Sequence, residues 1–348
     1  MIIKENVPLK GHTTFKIGGP ARYFVALKNE TELSEALGFA REKSLPVFIL
    51  GGGSNLVVSD AGFAGLVIKM EMAGASCEKQ GDDFIVTAWA GENWDVLVGK
   101  TVEWGAWGLE NLSAIPGTVG AAPVQNIGAY GTEVKNTVES VRAVDRETGA
   151  ARSFSNAECR FAYRDSCFKS PEGKKWIIVS VTFRLSAIPK PNLSYRDLKE
   201  YFAGKSDPTQ SEIRDAVAKI RASKFPDLAE FGTAGSFWKN PIISRDAFEA
   251  LRARYPDIPS FPAQAPAGSR EVAAHEAEVK IPLAWILDKI CGLNGYRSGH
   301  VGLFKKQPLV VVAEEGATAE ELARFETDIR SKVETATGIK IEPEAVFV

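Results

Sequence analysis

The sequence predicts an α+β protein of two or three domains, and three observations lead to this prediction. Its 348 residues exceed the usual size of a single domain. Short apolar runs alternate with a helical pattern near the N-terminus, which is typical of a small α/β unit. Longer apolar runs separated by a tight turn follow in the middle of the chain, and these indicate a largely antiparallel sheet.

The N-terminal part begins with a turn-rich segment at 11–21 and a short apolar run at 23–26. Asn29 and Glu32 have the spacing of a capping box, so we expect a helix to begin there. Its inward face comprises Leu33, Ala36, Leu37 and Ala40. Three strands are expected next, at 47–50, 56–58 and 65–69.

In the middle of the chain we expect a strand at 84–89 and a helix from Trp94 to near Gly105. The antiparallel strands are expected at 138–144 and 176–185, with a turn at 145–149. Thr209 and Glu212 cap a further helix, with Ile213, Ala216, Val217 and Ile220 facing inward.

A third unit is expected to begin with the segment Phe231–Pro241. A proline-rich stretch at 255–268 and a polar run at 269–278 predict a surface excursion. The final helix should begin at Thr318, with Leu322, Phe325, Ile329 and Val333 inward. A closing strand is expected from Lys340 to Val348.

The stretch Ile115–Gly131 contains four glycines, two prolines and no charged residue. A solvated loop would be more polar, and a strand or core helix would not tolerate this much glycine and proline. Backbone packed against a large ligand, with N–H groups turned toward it, fits this composition. A buried, turn-rich core segment fits it as well.

A second glycine run, Gly51–Asn55, directly follows the apolar residues 47–50. A dinucleotide-binding fold of the Rossmann type would need a helix to open right after these glycines. Strand-like residues 56–58 follow instead, so that fold is excluded. The loop remains able to bind phosphate through clustered N–H groups.

Composition narrows the classes of function. A formal net charge of -2 gives no reason to expect nucleic acid or an anionic membrane as a partner. No apolar run is long enough to cross a bilayer, and the first residues lack the features of a signal peptide. We therefore expect a cytoplasmic protein that binds neither nucleic acid nor membrane.

The cysteines and histidines suggest no metal site. The four cysteines form no CxxC pair, so free thiols in a reducing compartment are expected. The three histidines are far apart in sequence, which suggests neither a zinc site nor a Ser-His-Asp triad.

Several segments together resemble one family, the UDP-N-acetylenolpyruvoylglucosamine reductases, which are also called UDP-N-acetylmuramate dehydrogenases. They span nearly the whole chain in family order. The matching segments are His12–Ala21, Gly51–Asn55, Gly108–Gly131, Tyr163–Lys169, Gly235–Pro241 and Glu342–Ala345. Tyr195, within 193–198, resembles the tyrosine loop of the family's first type.

The resemblance implies an α+β protein with a two-part FAD-binding region of the vanillyl-alcohol-oxidase-like (PCMH-type) fold and a third, substrate-binding α+β domain. The implied domains are 1–72 joined by 336–348, then 73–224, then 225–335. FAD would be bound noncovalently, because neither glycine loop contains His or Cys. The implied cofactor-binding residues are Gly51, Gly52, Gly53, Ser54, Asn55, Pro116, Gly117, Thr118, Gly120, Ala121, Asn126 and Gly128.

The implied reaction is the NADPH-dependent reduction of UDP-N-acetylglucosamine enolpyruvate to UDP-N-acetylmuramate, a step of peptidoglycan precursor synthesis. Hydride would reach the terminal carbon of the enolpyruvyl double bond, and a proton the adjacent carbon. Negative charge develops on the carboxylate, so a fixed cation and an acid are needed. By resemblance, Arg164 is that cation, Ser236 the proton donor and Glu344 an acid partner.

Binding roles follow from the same resemblance. Tyr195, Lys224, Asn240 and Gln307 match the diphosphate and uridine contacts, and Tyr163 a substrate-side aromatic. The chain departs from the family pattern at Trp238, at Ala284 and in the lengthened loop 269–278. These departures concern closure of the substrate domain more than the chemistry.

Two other functions are compatible with the binding loops. One is a flavin-dependent sugar or alcohol oxidase of the same fold, and the other is a non-catalytic sensor of UDP-sugars or nucleotides. A sensor has no need of Arg164, Ser236 and Glu344 together. A monomer without metal is expected, with roles in cell-wall biogenesis, cell shape, cell division and the cell cycle.

Overall fold

The computed structural model describes residues 1–205, 207–262 and 278–348. The chain divides into two compact units. The first comprises Met1–Val7, Ala21–Gly52 and Ala64–Ser223, and the second comprises Pro8–Pro20, Gly53–Phe63 and Lys224–Val348. The expected long loop at 269–278 lies outside the described residues except for Glu278, as do residues 263–268 of the proline-rich stretch.

The elements are numbered here in chain order over the described residues. The strands are β1 (Lys4–Pro8), β2 (Pro20–Leu27), β3 (Val47–Leu50), β4 (Leu56–Val57), β5 (Phe63–Met70), β6 (Ala75–Gln80), β7 (Asp83–Trp89), β8 (Gly128–Ala129), β9 (Thr132–Glu133), β10 (Val138–Asp145), β11 (Ala151–Ser155), β12 (Trp176–Ser186), β13 (Ile242–Ser244), β14 (Phe261–Pro262), β15 (Glu278–Lys280), β16 (Arg297–Ser298), β17 (Val301–Phe304), β18 (Gln307–Ala313) and β19 (Val346–Phe347).

The helices follow the same numbering. They are α1 (Glu30–Glu42), α2 (Trp94–Glu103), α3 (Arg196–Tyr201), α4 (Gln210–Lys224), α5 (Arg245–Arg254), α6 (Leu283–Trp285) and α7 (Ala319–Thr337). Across the described parts of the chain, none of these helices has the length and apolar character that crossing a bilayer requires.

The first sheet of unit 1 has the strand order β1-β2-β5-β3, with β3 and β5 parallel. Helix α1 begins as expected: the Asn29 side chain accepts from the N–H of Glu32, and the Glu32 carboxylate accepts from the N–H of Lys28. All four residues of its expected apolar face are buried. The predicted small α/β unit is therefore confirmed except for the strand expected at 56–58, because β4 pairs with β19 and belongs to unit 2.

The second sheet of unit 1 has five strands in the order β11-β10-β12-β7-β6, and every neighbouring pair is antiparallel. This confirms the prediction for the middle of the chain. The two outer strands, β6 and β11, were not predicted. Most of their residues are exposed, so they lack the apolar signal that marks a buried strand.

Helix α4 packs in a separate small core of unit 1. Thr209 and Glu212 form the expected capping box, and Ile213, Ala216 and Val217 are buried. These side chains cluster with Trp107, Tyr130, Leu198 and Phe202. Burial raises the pKa of Tyr130 to about 12, so this phenol stays protonated at neutral pH.

Unit 2 is built around the three-stranded sheet β16-β17-β18 and helix α7. Thr318 caps α7 as predicted by accepting from the N–H of Glu321, and the helix ends at Gly338, which has φ +74°. Its four expected inward residues are all buried. The smaller sheet β13-β15-β14 belongs to the same unit.

The predicted closing strand is shorter than expected. Only β19 is a strand, and it pairs in parallel with β4, so Val346 lies opposite Leu56. Before it, Pro343 forms an isolated bridge with Trp238. Proline has no N–H to donate to a ladder, which is why regular pairing begins only after this residue.

Helix α7 receives a second cap from a distant turn, and this cap is testable. The Asp60 carboxylate accepts from the N–H groups of Ala319 and Glu320 at 2.9 and 3.0 Å. Because both bonds lie at a helix N-terminus, Asp60→Ala should lower stability by about 1 kcal/mol. A thermal melt would show this as a lower Tm. Asp60→Asn, which keeps one acceptor oxygen, should lose less, and equal Tm values for wild type and Asp60→Ala would contradict the cap.

Candidate active site

The two glycine-rich segments meet within unit 1. A Cβ atom on Gly52 would lie only 2.8 Å from the Cα of Gly117, and one on Gly51 would lie 2.7 Å from Thr118 Oγ1. Contacts this short are essentially never made by real Cβ atoms. Glycine is therefore required at position 52, where the two backbones approach each other directly, and it leaves room at position 51 for the Thr118 side chain.

The second glycine-rich stretch begins from a fixed point, Ala114, which has φ +57°. The N–H of Ala114 donates to Asp95 Oδ1 at 2.6 Å, and its carbonyl accepts from Arg221 Nε at 3.1 Å. Asp95 in turn forms two bonds with the Arg214 guanidinium. Burial raises the pKa of Asp95, but these partners outweigh burial and hold the pKa below its usual value.

Asn126 anchors the C-terminal part of the stretch Ile115–Gly131 through hydrogen bonds of its buried side chain. It is fully buried and has φ +46°. Its Nδ2 donates to Glu133 Oε2 and to the carbonyl of Ala162, both at 2.9 Å, while its Oδ1 accepts from the N–H of Lys135 at 3.1 Å. The side chain is thus engaged with the protein, so a contribution of Asn126 to cofactor binding would have to come from its backbone.

Arg164 sits at the second corner of a tight turn. Ala162 and Asp165 exchange two backbone hydrogen bonds of 3.0 and 3.2 Å around it. Arg164 has φ +53°, a left-handed conformation that costs about 1–2 kcal/mol for a residue with a Cβ. Its Nη2 donates to the carbonyl of Gly128 at 2.9 Å, which links the turn to the glycine-rich stretch. Strain of this kind is a recurring feature of functional sites.

Two of the expected aromatic residues also lie in unit 1. The guanidinium of Arg164 lies 5.7 Å from the ring centroid of Tyr163. Tyr195 precedes helix α3, and its ring meets that of Tyr130 edge to face with centroids 5.2 Å apart. Tyr195 is 44% exposed, so much of this ring remains available to a ligand.

In unit 2, the first glycine run continues with Gly53, Ser54 and Asn55. Gly53 has φ +66°, and a Cβ there would lie 2.0 Å from the carbonyl oxygen of His12. The need for glycine at 53 therefore arises from packing against the protein's own N-terminal segment. Asn55 Nδ2 donates to the carbonyl of Glu344 at 3.0 Å.

Ser236 and Glu344 lie on neighbouring segments of unit 2. Ser236 forms a bridge with Val310 of β18, and the next residue, Phe237, accepts at its carbonyl from the N–H of Glu344 at 2.8 Å. Ser236 is half-buried and Glu344 is buried. The structure thus brings together two of the three predicted catalytic residues, 108 positions apart in the chain (344 − 236).

The remaining predicted binding residues of unit 2 lie on separate elements. Lys224 is the last residue of α4, and Gln307 is the first residue of β18. Asn240 accepts from the N–H of Leu283 at 2.9 Å, so its side-chain oxygen caps α6.

Two of the three departures from the family pattern, Trp238 and Ala284, lie in or beside the core of unit 2. Trp238 is fully buried and packs edge-on against Phe237 at 4.8 Å between centroids. Ala284, in α6, packs against the same core. Both replacements are therefore accommodated by packing within the unit.

The sequence analysis did not identify the charged side chains that hold the backbone of the candidate site. Asp95, Arg214 and Arg221 hold the start of the glycine-rich stretch, but their partners lie up to 119 positions away, so no local pattern announces them. For Lys169, by contrast, the sequence offers a signal, because this residue lies within the segment Tyr163–Lys169 that resembles the family. Its Nζ donates to the carbonyl of Arg164 at 3.1 Å.

Comparison of the sequence with models of known protein families identifies two matching domains. The family model "FAD binding domain" matches residues 21–155, and the model "UDP-N-acetylenolpyruvoylglucosamine reductase, C-terminal domain" matches residues 227–348. The residues present fit FAD, because the main chains of two glycine-rich runs meet directly at Gly52 and Gly117. The protein is a flavin-dependent oxidoreductase with FAD as its cofactor.

Full-length relatives narrow the class to one family. The chain is 43% identical to UDP-N-acetylenolpyruvoylglucosamine reductase of Cupriavidus pinatubonensis, over 99% of this chain and 98% of the relative. It is 42% identical to the reductase of Ralstonia nicotianae, over 100% and 99%. The chain belongs to the UDP-N-acetylenolpyruvoylglucosamine reductase family.

A solved structure agrees on the fold. The crystal structure of UDP-N-acetylenolpyruvylglucosamine reductase from Thermus caldophilus matches with a TM-score of 0.65 and 22% identity. The match covers 99% of each chain. The α+β flavoprotein fold expected from the sequence is thereby confirmed.

The approach of Gly52 to Gly117 yields a prediction about the cofactor. Gly52→Ala should force the two glycine runs apart, so the purified protein should contain much less FAD than wild type. Gly38→Ala is the matched control, because Gly38 lies in α1 with nothing within 4 Å of the added Cβ. Flavin released by acid precipitation, relative to protein, measures the effect. Full flavin content in Gly52→Ala would contradict it.

Proposed function

We propose that this protein reduces UDP-N-acetylglucosamine enolpyruvate to UDP-N-acetylmuramate with NADPH, in the synthesis of peptidoglycan precursors. Membership of the reductase family over the full chain is the observation on which this rests. FAD, when bound, supplies the redox chemistry by accepting hydride from NADPH and donating it to the enolpyruvyl double bond. The protein's own residues must position the substrate and supply a proton.

Arg164 would bind the substrate carboxylate. Negative charge develops there as the double bond is reduced, and a guanidinium matches a carboxylate by two parallel hydrogen bonds and permanent charge. The left-handed turn and the bond to Gly128 support this role, since they hold the side chain in place before substrate arrives. A preoriented cation stabilises developing charge without a reorganisation cost.

Ser236 would donate the proton to the carbon next to the carboxylate, and Glu344 would act as its acid partner. Their neighbouring positions in unit 2 support this pairing. A serine hydroxyl is a poor acid, so its usefulness depends on the groups around it.

The binding roles form part of the same proposal. The main chain of Gly51–Asn55 and Pro116–Gly128 would contact noncovalent FAD, with the residues named in the sequence analysis. Tyr163, Tyr195, Lys224, Asn240 and Gln307 would contact the UDP-sugar. The boundaries 1–72 with 336–348, 73–224 and 225–335 remain our proposed domains.

We also propose that the protein acts as a cytoplasmic monomer, without nucleic acid, membrane or metal, and that it contributes to cell shape and division.

Two rival functions would give different results when NADPH oxidation and oxygen consumption are measured. An oxidase would consume oxygen, and a sensor would bind the UDP-sugar without oxidising NADPH. The reductase should oxidise NADPH only when the UDP-sugar is present.

Arg164→Lys should not behave as a conservative change. Lysine keeps the charge but loses the planar fork, so the carboxylate is held less well. We expect a large loss of turnover with substrate, while flavin content stays normal. Steady-state NADPH oxidation measures the turnover. Wild-type turnover in this variant would remove Arg164 from the mechanism.

Ser236→Ala should separate the two halves of the reaction. A positioned proton donor contributes about 10²–10⁴-fold, whereas binding does not depend on that hydroxyl. In anaerobic stopped flow, NADPH should bleach the flavin absorbance at nearly the wild-type rate. Recovery of absorbance on adding the UDP-sugar should slow by about 10²–10⁴-fold.

The other outcomes for Ser236→Ala assign the hydroxyl a different role. If both phases slowed equally, Ser236 would shape the cofactor site. If neither slowed, the proton would come from Glu344 or water.

A further inference from the structure

Lys169 belongs to a segment that is firmly anchored beside the turn bearing Arg164. It is the last residue of the short helical turn Cys167–Lys169. The hydroxyl of Ser166 accepts from the N–H of Phe168 at 3.3 Å and donates to the carbonyl of Val124 at 2.7 Å. This hydroxyl therefore ties the segment to the glycine-rich stretch Ile115–Gly131.

From this position, Lys169 binds the backbone of Arg164. Its Nζ donates to the Arg164 carbonyl at 3.1 Å, and Lys169 itself is half-buried. Hydrogen bonds from a charged donor are roughly twice as strong as neutral ones. The carbonyl belongs to a residue with φ +53°, so the ammonium binds the peptide group that directly follows this left-handed residue, between Arg164 and Asp165.

Arg164 is thus held at both ends. Lys169 holds its backbone, and the carbonyl of Gly128 accepts from Nη2 at 2.9 Å. The N–H of the Arg164–Asp165 peptide donates to the carbonyl of Ala162 at 3.2 Å, and Lys169 binds the carbonyl on the opposite side of this same peptide. If that peptide rotated, the Cα–Cβ bond of Arg164 would change direction, and the guanidinium would leave its place.

We propose that Lys169 is a positioning residue for Arg164, which keeps the arginine in its left-handed conformation so that the guanidinium meets the substrate carboxylate. This inference rests on the proposed function. Lys169 touches neither reacting carbon in this role and acts only through Arg164.

Lys169→Met tests the inference, since methionine has a similar length but no donor. A displacement of about 1 Å at a reacting group can cost about 10²-fold in rate. We expect the substrate-dependent phase of anaerobic stopped flow to slow by about 10²-fold. NADPH-dependent bleaching, flavin content and Tm should stay close to wild type.

Two further variants separate positioning from general damage. Lys169→Arg restores a charged donor and should recover most of the lost rate. Lys174→Met is the matched control, because Lys174 is exposed and five positions further along the same surface segment. It should behave as wild type. Loss of flavin or a collapse of Tm in both Lys169 variants would make Lys169 a structural residue and overturn the inference.

A double-mutant cycle with Arg164→Ala shows whether Lys169→Met slows the substrate-dependent phase through Arg164 or independently of it. If Lys169 acts through Arg164, adding Lys169→Met to Arg164→Ala should slow the substrate phase no further. An equal additional loss in that background would show that Lys169 acts independently, and would overturn the inference. So would a wild-type rate for Lys169→Met alone.

The proposed function fails in a different way. In that case the wild-type protein would not reduce the UDP-sugar at all, whatever stands at position 169. An active wild type that slows with Arg164→Ala but is unaffected by Lys169→Met would overturn only the role of Lys169.

Discussion

The direct approach of two backbones, at Gly52 and Gly117, is the constraint on which the rest of unit 1 depends. A Cβ atom on Gly52 would lie 2.8 Å from the Cα of Gly117, so neither segment can move toward the other without collision. The elements around them are placed accordingly. Strand β3 leads directly into the first run, and helix α2 supplies Asp95, which fixes the start of the second. A flavin-binding surface made of main chain needs this rigidity, because backbone groups have no rotamers with which to adapt.

In much of the candidate site, positively charged side chains donate hydrogen bonds to backbone carbonyls. Arg221 binds the carbonyl of Ala114, Lys169 binds the carbonyl of Arg164, and Arg164 itself binds the carbonyl of Gly128. The residues that receive these bonds at 114 and 164 have positive φ. Cations that bind these carbonyls offset the strain of the left-handed residues locally. A site containing many such residues can therefore remain stable without relying on regular strands.

The sequence allowed the helices and inner strands to be predicted because their signals are local. The side chains of Asn29, Thr209 and Thr318 all cap their helices as predicted, and the antiparallel sheet lay where the apolar runs predicted. Edge strands such as β6 and β11 escaped prediction because their side chains face water. The glycine runs could be recognised from composition, but their meeting could not, since it depends on tertiary packing. Catalytic roles came from family resemblance, because Ser236 and Glu344 have no local pattern of their own.

Unit 2 is assembled from three separate stretches of the chain, and this has a consequence for its biosynthesis. Strand β4 pairs with β19, and the chain between them spans most of the sequence. Nearly all of unit 1 has left the ribosome before helix α7 is made. We therefore expect unit 1 to fold during translation, while residues 8–20 and 53–63 wait for the C-terminal strand. Closing so long a loop is slow, so we expect the segment that carries Glu344 to be placed late in folding.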